Sequence, residues 1–177
     1  MSIGARIACF ALVFVTAVLQ VSIFWRIEIA GGTPDVLMVV VASIALLTGS
    51  IAGATSGFAA GVLLACVAAL PLGPHALLAT LIGYAIGRVG EVLVTDDHPV
   101  PPIVAAVLAT LAIALGRPLV EFLLDPAVST VDGLLAHAAA SALLSGLVAL
   151  PVFGLVRRTL NAAQSVGASL AGSDGVA

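Results

Sequence analysis

Long apolar runs with few charges, separated by short polar or proline-containing breaks, occupy most of this 177-residue chain. A helix needs about 20 apolar residues to cross the ~30 Å hydrocarbon core of a bilayer. Runs close to that length lie at residues 7–25, 75–94, 103–124 and 134–156. The pattern therefore predicts membrane-spanning helices at these four places.

A further run, residues 36–70, carries no charge and is too long for one span but short for two. Its most polar point is Thr48-Gly49-Ser50, where we predict a tight turn that separates a short second helix from a third. Five spans with a re-entrant segment is the alternative. The predicted fold is thus an all-α, polytopic integral membrane bundle of about six transmembrane helices.

The bundle is expected to form a single domain over residues 1–160. The tail at 161–177 is rich in Ser, Gly and Ala and is predicted to be a disordered cytoplasmic segment. The first apolar run resembles a signal peptide, but no convincing A-x-A cleavage site follows it and the run continues to Trp25. We therefore expect an uncleaved first span.

Composition agrees with a membrane protein and excludes other classes. Hydrophobic residues make up 62% of the chain and charged residues 8%, with a mean hydropathy of +1.28. Soluble domains carry roughly 25% charged residues, so this chain cannot cover a soluble globule with polar surface. The six basic residues are all Arg and are scattered, whereas nucleic-acid binding needs a concentrated basic patch. We expect the lipid bilayer as a partner and no nucleic acid.

The arginines predict the orientation, because basic residues near span ends are retained in the cytoplasm. With six spans and the N-terminus inside, Arg6, Arg157 and Arg158 are cytoplasmic. Arg88 can extend its side chain to the same side, which leaves Arg26 outside. We therefore expect a multi-pass protein of the plasma membrane with both termini in the cytoplasm.

Glycines recur every four residues in the run 36–70, from the predicted turn into the third helix. Such a stripe lets another helix backbone approach closely. Two interpretations stay open, namely internal helix contacts within one bundle or a groove for a partner helix. The ladder is Gly49, Gly53, Gly57 and Gly61, with Phe58 included in the candidate groove, and a second small-residue face consists of Gly83, Gly87 and Gly90.

Two pairs of opposite charge lie within apolar runs. Arg117 and Glu121 are four residues apart and share a helix face. An unpaired charge at the bilayer centre costs at least ~2.5–3.5 kcal/mol, so an intramembrane ion pair is predicted. A polar contact to a partner helix or ligand is the alternative. Arg88 and Glu91, three residues apart, have the same two interpretations.

Catalysis finds little support in the sequence. His137, Ser141 and Ser145 share a helical face, which is compatible with a hydrolase, but no G-x-S-x-G elbow or oxyanion site accompanies them. The three histidines are too scattered for a metal site, and no phosphate-binding glycine loop is present. We expect no enzyme activity, no cofactor and no metal.

Three motifs go beyond hydrophobicity. They are Pro34-Asp35 before the second span, Gly57-Phe58-Ala59-Ala60-Gly61 in the third, and Leu72-Gly73-Pro74-His75-Ala76-Leu77 opening the fourth. In this order and spacing they resemble the rod shape-determining protein MreD family. Leu19-Gln20, Gly83-Tyr84 and Arg157-Arg158 are weaker agreements. One departure is Ala65, where the family commonly has Asp, so any polar contact of that acid is absent here.

The resemblance implies a non-enzymatic membrane component of the bacterial cell-elongation machinery. Proteins of this kind act beside MreC, the RodA-type glycosyltransferase, a class B penicillin-binding protein and MreB filaments. The leading hypothesis is a scaffold that binds the membrane segment of an MreC-like partner and helps position peptidoglycan synthesis. In it, Pro34-Asp35 caps the second helix and Gly53, Gly57 and Gly61 form the packing groove.

The family is also similar in its six-helix architecture to the substrate-binding S components of energy-coupling-factor vitamin transporters. Likeness of fold does not transfer function, but an S component is the alternative hypothesis. Its ligand site would use polar groups on the outer side, which are Arg117, Glu121, Asp125 and Asp132.

Overall fold

The computed structural model describes residues 3–22, 34–68, 72–93, 104–105, 107–116 and 134–173. These ranges contain no strand and include six helices: α1 (Ile3–Ser22), α2 (Val36–Thr48), α3 (Ser50–Ala68), α4 (Leu72–Leu93), α5 (Val107–Gly116) and α6 (Leu134–Ser173). Three segments are long and apolar enough to cross a membrane, namely Gly4–Ser22, Ser50–Val67 and Ala139–Ala163. The predicted helical membrane bundle is confirmed.

The short helix α2 lies at the centre of the bundle. It contacts α1, α3, α4 and α6, and every residue from Val36 to Leu46 is buried. A helix that is apolar on all sides is stable only when it is surrounded, which the Val-, Leu- and Ile-rich sequence of α2 satisfies. The hydrophobic core is therefore built around this helix.

The outward surfaces of the surrounding helices are also apolar. On α6, the side chains of Leu143 and Leu147 are 73% and 77% exposed. Large contiguous apolar surfaces are rare on soluble monomers but suit contact with lipid chains. The distribution of exposed residues thus agrees with the membrane prediction.

The turn between α2 and α3 consists of Gly49 alone, where the sequence predicts a break. Its φ of +92° lies in a region that side-chain-bearing residues rarely adopt. A Cβ added there would also lie 2.8 Å from Glu91 Oε1. The backbone conformation therefore requires glycine here, and a Cβ would in addition displace the Glu91 carboxylate.

Two helix ends differ from the prediction. α4 begins at Leu72 instead of residue 75, because Pro74 falls in the first turn, where a missing N–H costs no helix bond. α6 continues to Ser173, whereas the sequence predicted disorder from residue 161. Alanines recur along this extension, and Ala has the highest helix propensity. The predicted pair Arg117 and Glu121 lies outside the described residues.

Candidate functional site

Helices α3 and α4 pack against each other antiparallel through their glycines, and this is the most extensive helix contact of the described residues. A Cβ on Gly53 would fall on the carbonyl of Gly83, and one on Gly57 would fall on the carbonyl of Ala79. A Cβ on Gly61 would lie 2.6 Å from Ala76 Cα. These neighbours are backbone atoms, so they cannot rotate aside as a side chain would.

The close backbone contact of α4 continues to the α2–α3 turn. A Cβ on Gly87 would lie 2.5 Å from Ser50 Cα, and one on Gly90 would lie 3.1 Å from Leu46 Cα. Both glycine faces therefore meet within the chain, and the candidate groove residues Gly53, Gly57, Gly61, Gly83 and Gly87 lie in this contact. Phe58 instead has a 56% exposed side chain.

A cluster of hydrogen bonds caps the N-terminus of α2. Asp35 is the N-cap, and its Oδ1 accepts a bond from Met38 N at 3.1 Å. The buried Gln20 of α1 donates from Nε2 to Pro34 O at 3.0 Å. Its Oε1 accepts bonds from Val36 N at 3.0 Å and Leu37 N at 3.3 Å. One glutamine thus serves three backbone groups of this helix end.

The third helix in this cluster is α6, because Asp35 N donates to Ser145 Oγ at 2.9 Å. With 13 residues, α2 is about 20 Å long and too short to cross a hydrocarbon core of ~30 Å, so at least one of its ends lies inside that core. An unsatisfied N–H at that depth costs several kcal/mol. Sequence reasoning did not find this role of Gln20 and Ser145. The signal was available, since an amide side chain in an apolar span needs a partner.

A second polar cluster caps α3. Glu91 Oε1 accepts bonds from Ser50 N at 2.7 Å and from Ser50 Oγ at 2.8 Å. Its other oxygen, Oε2, lies 3.2 Å from Arg88 Nη1, and the arginine side chain is 60% exposed. A carboxylate at a helix N-terminus satisfies free N–H groups and complements the helix dipole. Glu91 therefore fastens the end of α4 to the start of α3.

Several arginines lie toward one end of the bundle. Gly4 packs against the carbonyl of Ala163, which brings the start of α1 beside α6. Arg6 lines the same cavity as Thr48 at the end of α2. We call this the arginine end, defined by Arg6, Arg88, Arg157 and Arg158.

Two adjoining cavities form a groove between α1 and α3, and they share Phe10 and Thr55. The first has a volume of about 450 Å³ and lies at the arginine end. The second has a volume of about 750 Å³ and is almost entirely apolar. The first is lined by Arg6, Cys9, Phe10, Val13, Thr48, Ile51, Ala52, Thr55 and Ser56, and the second by Phe10, Phe14, Ala54, Thr55, Phe58, Ala59, Val62, Leu63 and Thr80.

The remaining motif residues lie at the start of α4 and near the end of α3. Leu72 is the first residue of α4, Gly73 has no heavy atom within 4 Å of an added Cβ, and Leu77 is 60% exposed. Ala65, at the position of the family's common Asp, is 1% exposed. An acid at this position would be buried among helices.

The described residues include no group of three or more His, Cys, Asp or Glu that could hold a metal ion. The hydroxyl of Ser145 accepts the Asp35 amide, so its position serves the cap of α2. The side chain of His137 lies outside the described part.

Comparison with known proteins agrees with this architecture. The sequence model of the family described as rod shape-determining protein MreD matches residues 1–159. No curated protein and no solved structure matches the chain. The match covers the whole helical bundle apart from the end of α6, and it confirms the resemblance of the sequence motifs. This chain therefore belongs to the MreD family of rod shape-determining membrane proteins.

Proposed function

We propose that this chain is a non-enzymatic component of the bacterial rod complex that binds the membrane segment of an MreC-like partner. In this role it helps position peptidoglycan synthesis for cell shape. The family match over residues 1–159 supports membership in the rod-shape machinery. The RodA-type glycosyltransferase and the class B penicillin-binding protein are then direct or indirect partners.

The observation that carries the scaffold role is the glycine contact between α3 and α4. Backbone atoms meet backbone atoms at Gly53, Gly57 and Gly61, so the relative position of the two helices is fixed. A fixed pair of helices presents an outer surface of constant shape, which a scaffold needs for a lasting complex. The glycines then act on partner binding through the shape of this pair.

The proposed location is the bacterial plasma membrane, with the arginine end in the cytoplasm. Arg6, Arg157 and Arg158 lie toward the same end of the bundle as Arg88, in line with the retention of basic residues on the cytoplasmic side. Both termini are then cytoplasmic.

The experiment is purification of the tagged protein from its native cells in mild detergent, with mass spectrometry of the proteins that accompany it. Gly57→Leu is compared with Gly154→Leu, because an added Cβ at Gly154 meets no atom within 4 Å. We expect the wild type and Gly154→Leu to recover the MreC-like protein. Gly57→Leu should lose it and widen the cells, because the leucine forces α3 and α4 apart.

A milder variant separates loss of binding from loss of folding. Gly57→Ala places only a Cβ against the Ala79 carbonyl and should destabilise the bundle by about 1–3 kcal/mol. Complex yield should fall with this variant even where a melting curve still shows a folded protein. Unchanged yield and cell width in Gly57→Leu would contradict the scaffold proposal. Recovery of a transporter coupling protein with its ATPases would replace it with the S-component alternative.

A further inference from the structure

The groove between α1 and α3 has a polar mouth and an apolar interior. At the arginine end, its wall carries the guanidinium of Arg6 and the hydroxyls of Thr48 and Ser56. Deeper in, it is lined by the phenyl rings of Phe14 and Phe58, each 56% exposed. This order, polar at the bilayer surface and apolar toward the interior, is the order of a phospholipid.

The length of the groove fits one leaflet. Along α3 its lining runs from Ile51 to Leu63, which is about 18 Å at the helical rise. Half of the hydrocarbon core is about 15 Å thick, whereas a spanning helix needs a contact surface of about 30 Å. The dimensions therefore favour a lipid of one leaflet over a transmembrane helix.

The charge at the mouth favours an acidic lipid. Among the described residues, Arg88 is paired with Glu91, but no carboxylate lies within 4.0 Å of the Arg6 guanidinium. A guanidinium binds phosphate oxygens with two parallel hydrogen bonds, and in an acidic lipid no headgroup cation offsets the phosphate charge. The hydroxyls of Thr48 and Ser56 already donate to the carbonyls of Ile44 and Gly53, so Arg6 is the group of this lining that binds the phosphate.

We propose that this groove binds a phospholipid with an acidic headgroup, its phosphate at Arg6 and one acyl chain along Phe10, Phe14 and Phe58. The lipid fills the space between α1 and α3 from the arginine end to the middle of the bilayer. This proposal does not depend on the MreC-like partner.

The headgroup is tested by native mass spectrometry of the purified full chain with an equal mixture of phosphatidylglycerol and phosphatidylcholine of identical acyl chains. We expect the wild type to retain phosphatidylglycerol about fivefold more, a factor that corresponds to about 1 kcal/mol. Arg6→Gln should reduce this preference to about one. Arg158→Gln is the matched control, because it removes an exposed arginine of the same end that does not line the groove, and it should keep the preference.

The proposal is overturned if the wild type shows no preference, if Arg6→Gln keeps it, or if Arg158→Gln loses it equally. The acyl chain is tested separately with Phe14→Ala, which should lower retention of both lipids at least twofold. Leu147→Ala, at an even more exposed apolar position on α6, should leave retention unchanged. Equal retention by these two variants contradicts the acyl-chain placement.

A photoreactive phenylalanine analogue in place of Phe58 distinguishes the possible occupants in intact membranes. Irradiation should add the mass of a phospholipid to this position. An adduct with another protein would mean that the groove is a partner-helix surface, and the lipid proposal would be wrong.

Discussion

Glu91 shows how one side chain can join three parts of this chain. Its carboxylate accepts hydrogen bonds from both donors of Ser50, lies beside Arg88, and packs against Gly49, where a Cβ would displace it. The two partners differ in importance. The arginine is exposed, and exposed ion pairs contribute little to stability. The Ser50 amide begins α3 and has no acceptor within its own helix.

Glu91→Ala should therefore lower the melting temperature of the detergent-solubilised protein more than Arg88→Ala does. The alanine leaves the Ser50 amide without its acceptor, whereas loss of the arginine removes only the exposed pair. Glu91→Gln should fall between them, since an amide oxygen still accepts one bond. Equal shifts for Glu91→Ala and Arg88→Ala would show that the ion pair, and not the cap, holds α4 to α3.

Sequence reasoning covers only part of this residue-scale picture. The spacing of Arg88 and Glu91 predicts their contact, because three residues make less than one helical turn. Ser50 lies 41 positions away from Glu91, and no local pattern joins them. Only the turn at Gly49 and the antiparallel course of α4 bring the two together.

At the scale of elements, α2 is a helix whose first turn is completed by its neighbours. Its backbone donors at that end bind to Gln20 of α1 and Ser145 of α6, as well as to its own N-cap. In water a solvent molecule could replace either partner. Inside a bilayer no such replacement exists, so the three helices stabilise each other as a unit.

Gln20→Leu should destabilise the protein by about 1–3 kcal/mol, since it keeps the size of the side chain but leaves buried amides unsatisfied. Hydrogen exchange should accelerate at the amides of Val36 and Leu37, and the melting temperature should fall. Ser22→Ala, at an exposed position of the same helix, is the control and should change neither measurement. Unchanged exchange in Gln20→Leu would mean that this end of α2 has another acceptor.

Hydropathy predicts the elements better than their contacts. The polar tripeptide at 48–50 marks the α2–α3 turn correctly, because a break in a charge-free run has few other places to occur. The glycine stripe predicts a close helix contact but does not identify the other helix, since any small-residue face fits Gly57 equally well. The start of α4 and the end of α6 are harder to predict from hydropathy, because Pro74 is compatible with a first turn and alanine-rich tails can stay helical.

At the scale of the whole molecule, the charged and the apolar side chains have different distributions. Among the described residues, exposed apolar side chains lie on all five helices other than α2, whereas Arg6, Arg88, Arg157 and Arg158 lie toward one end. Position along the membrane normal is thus set by the apolar surface. Orientation depends on a few arginines.

Reporter fusions should show this orientation in cells. A fluorescent protein fused after residue 160 should be fluorescent, and alkaline phosphatase at the same position should be inactive, because we expect the arginine end to face the cytoplasm. Phosphatase fused after residue 70, between α3 and α4, should be active and serves as the matched control. The reverse pattern at both positions would place the arginine end outside.

The bond between Asp35 and Ser145 also has a consequence for the order in which the protein is made. Its two residues are 110 positions apart, so the ribosome delivers α2 to the membrane long before the serine that completes its first turn exists. During that interval the amide of Asp35 must find a temporary acceptor in water, lipid headgroups or the insertion machinery. The first turn of the second helix is therefore completed only after residue 145 has been made, although its other neighbours are synthesised earlier.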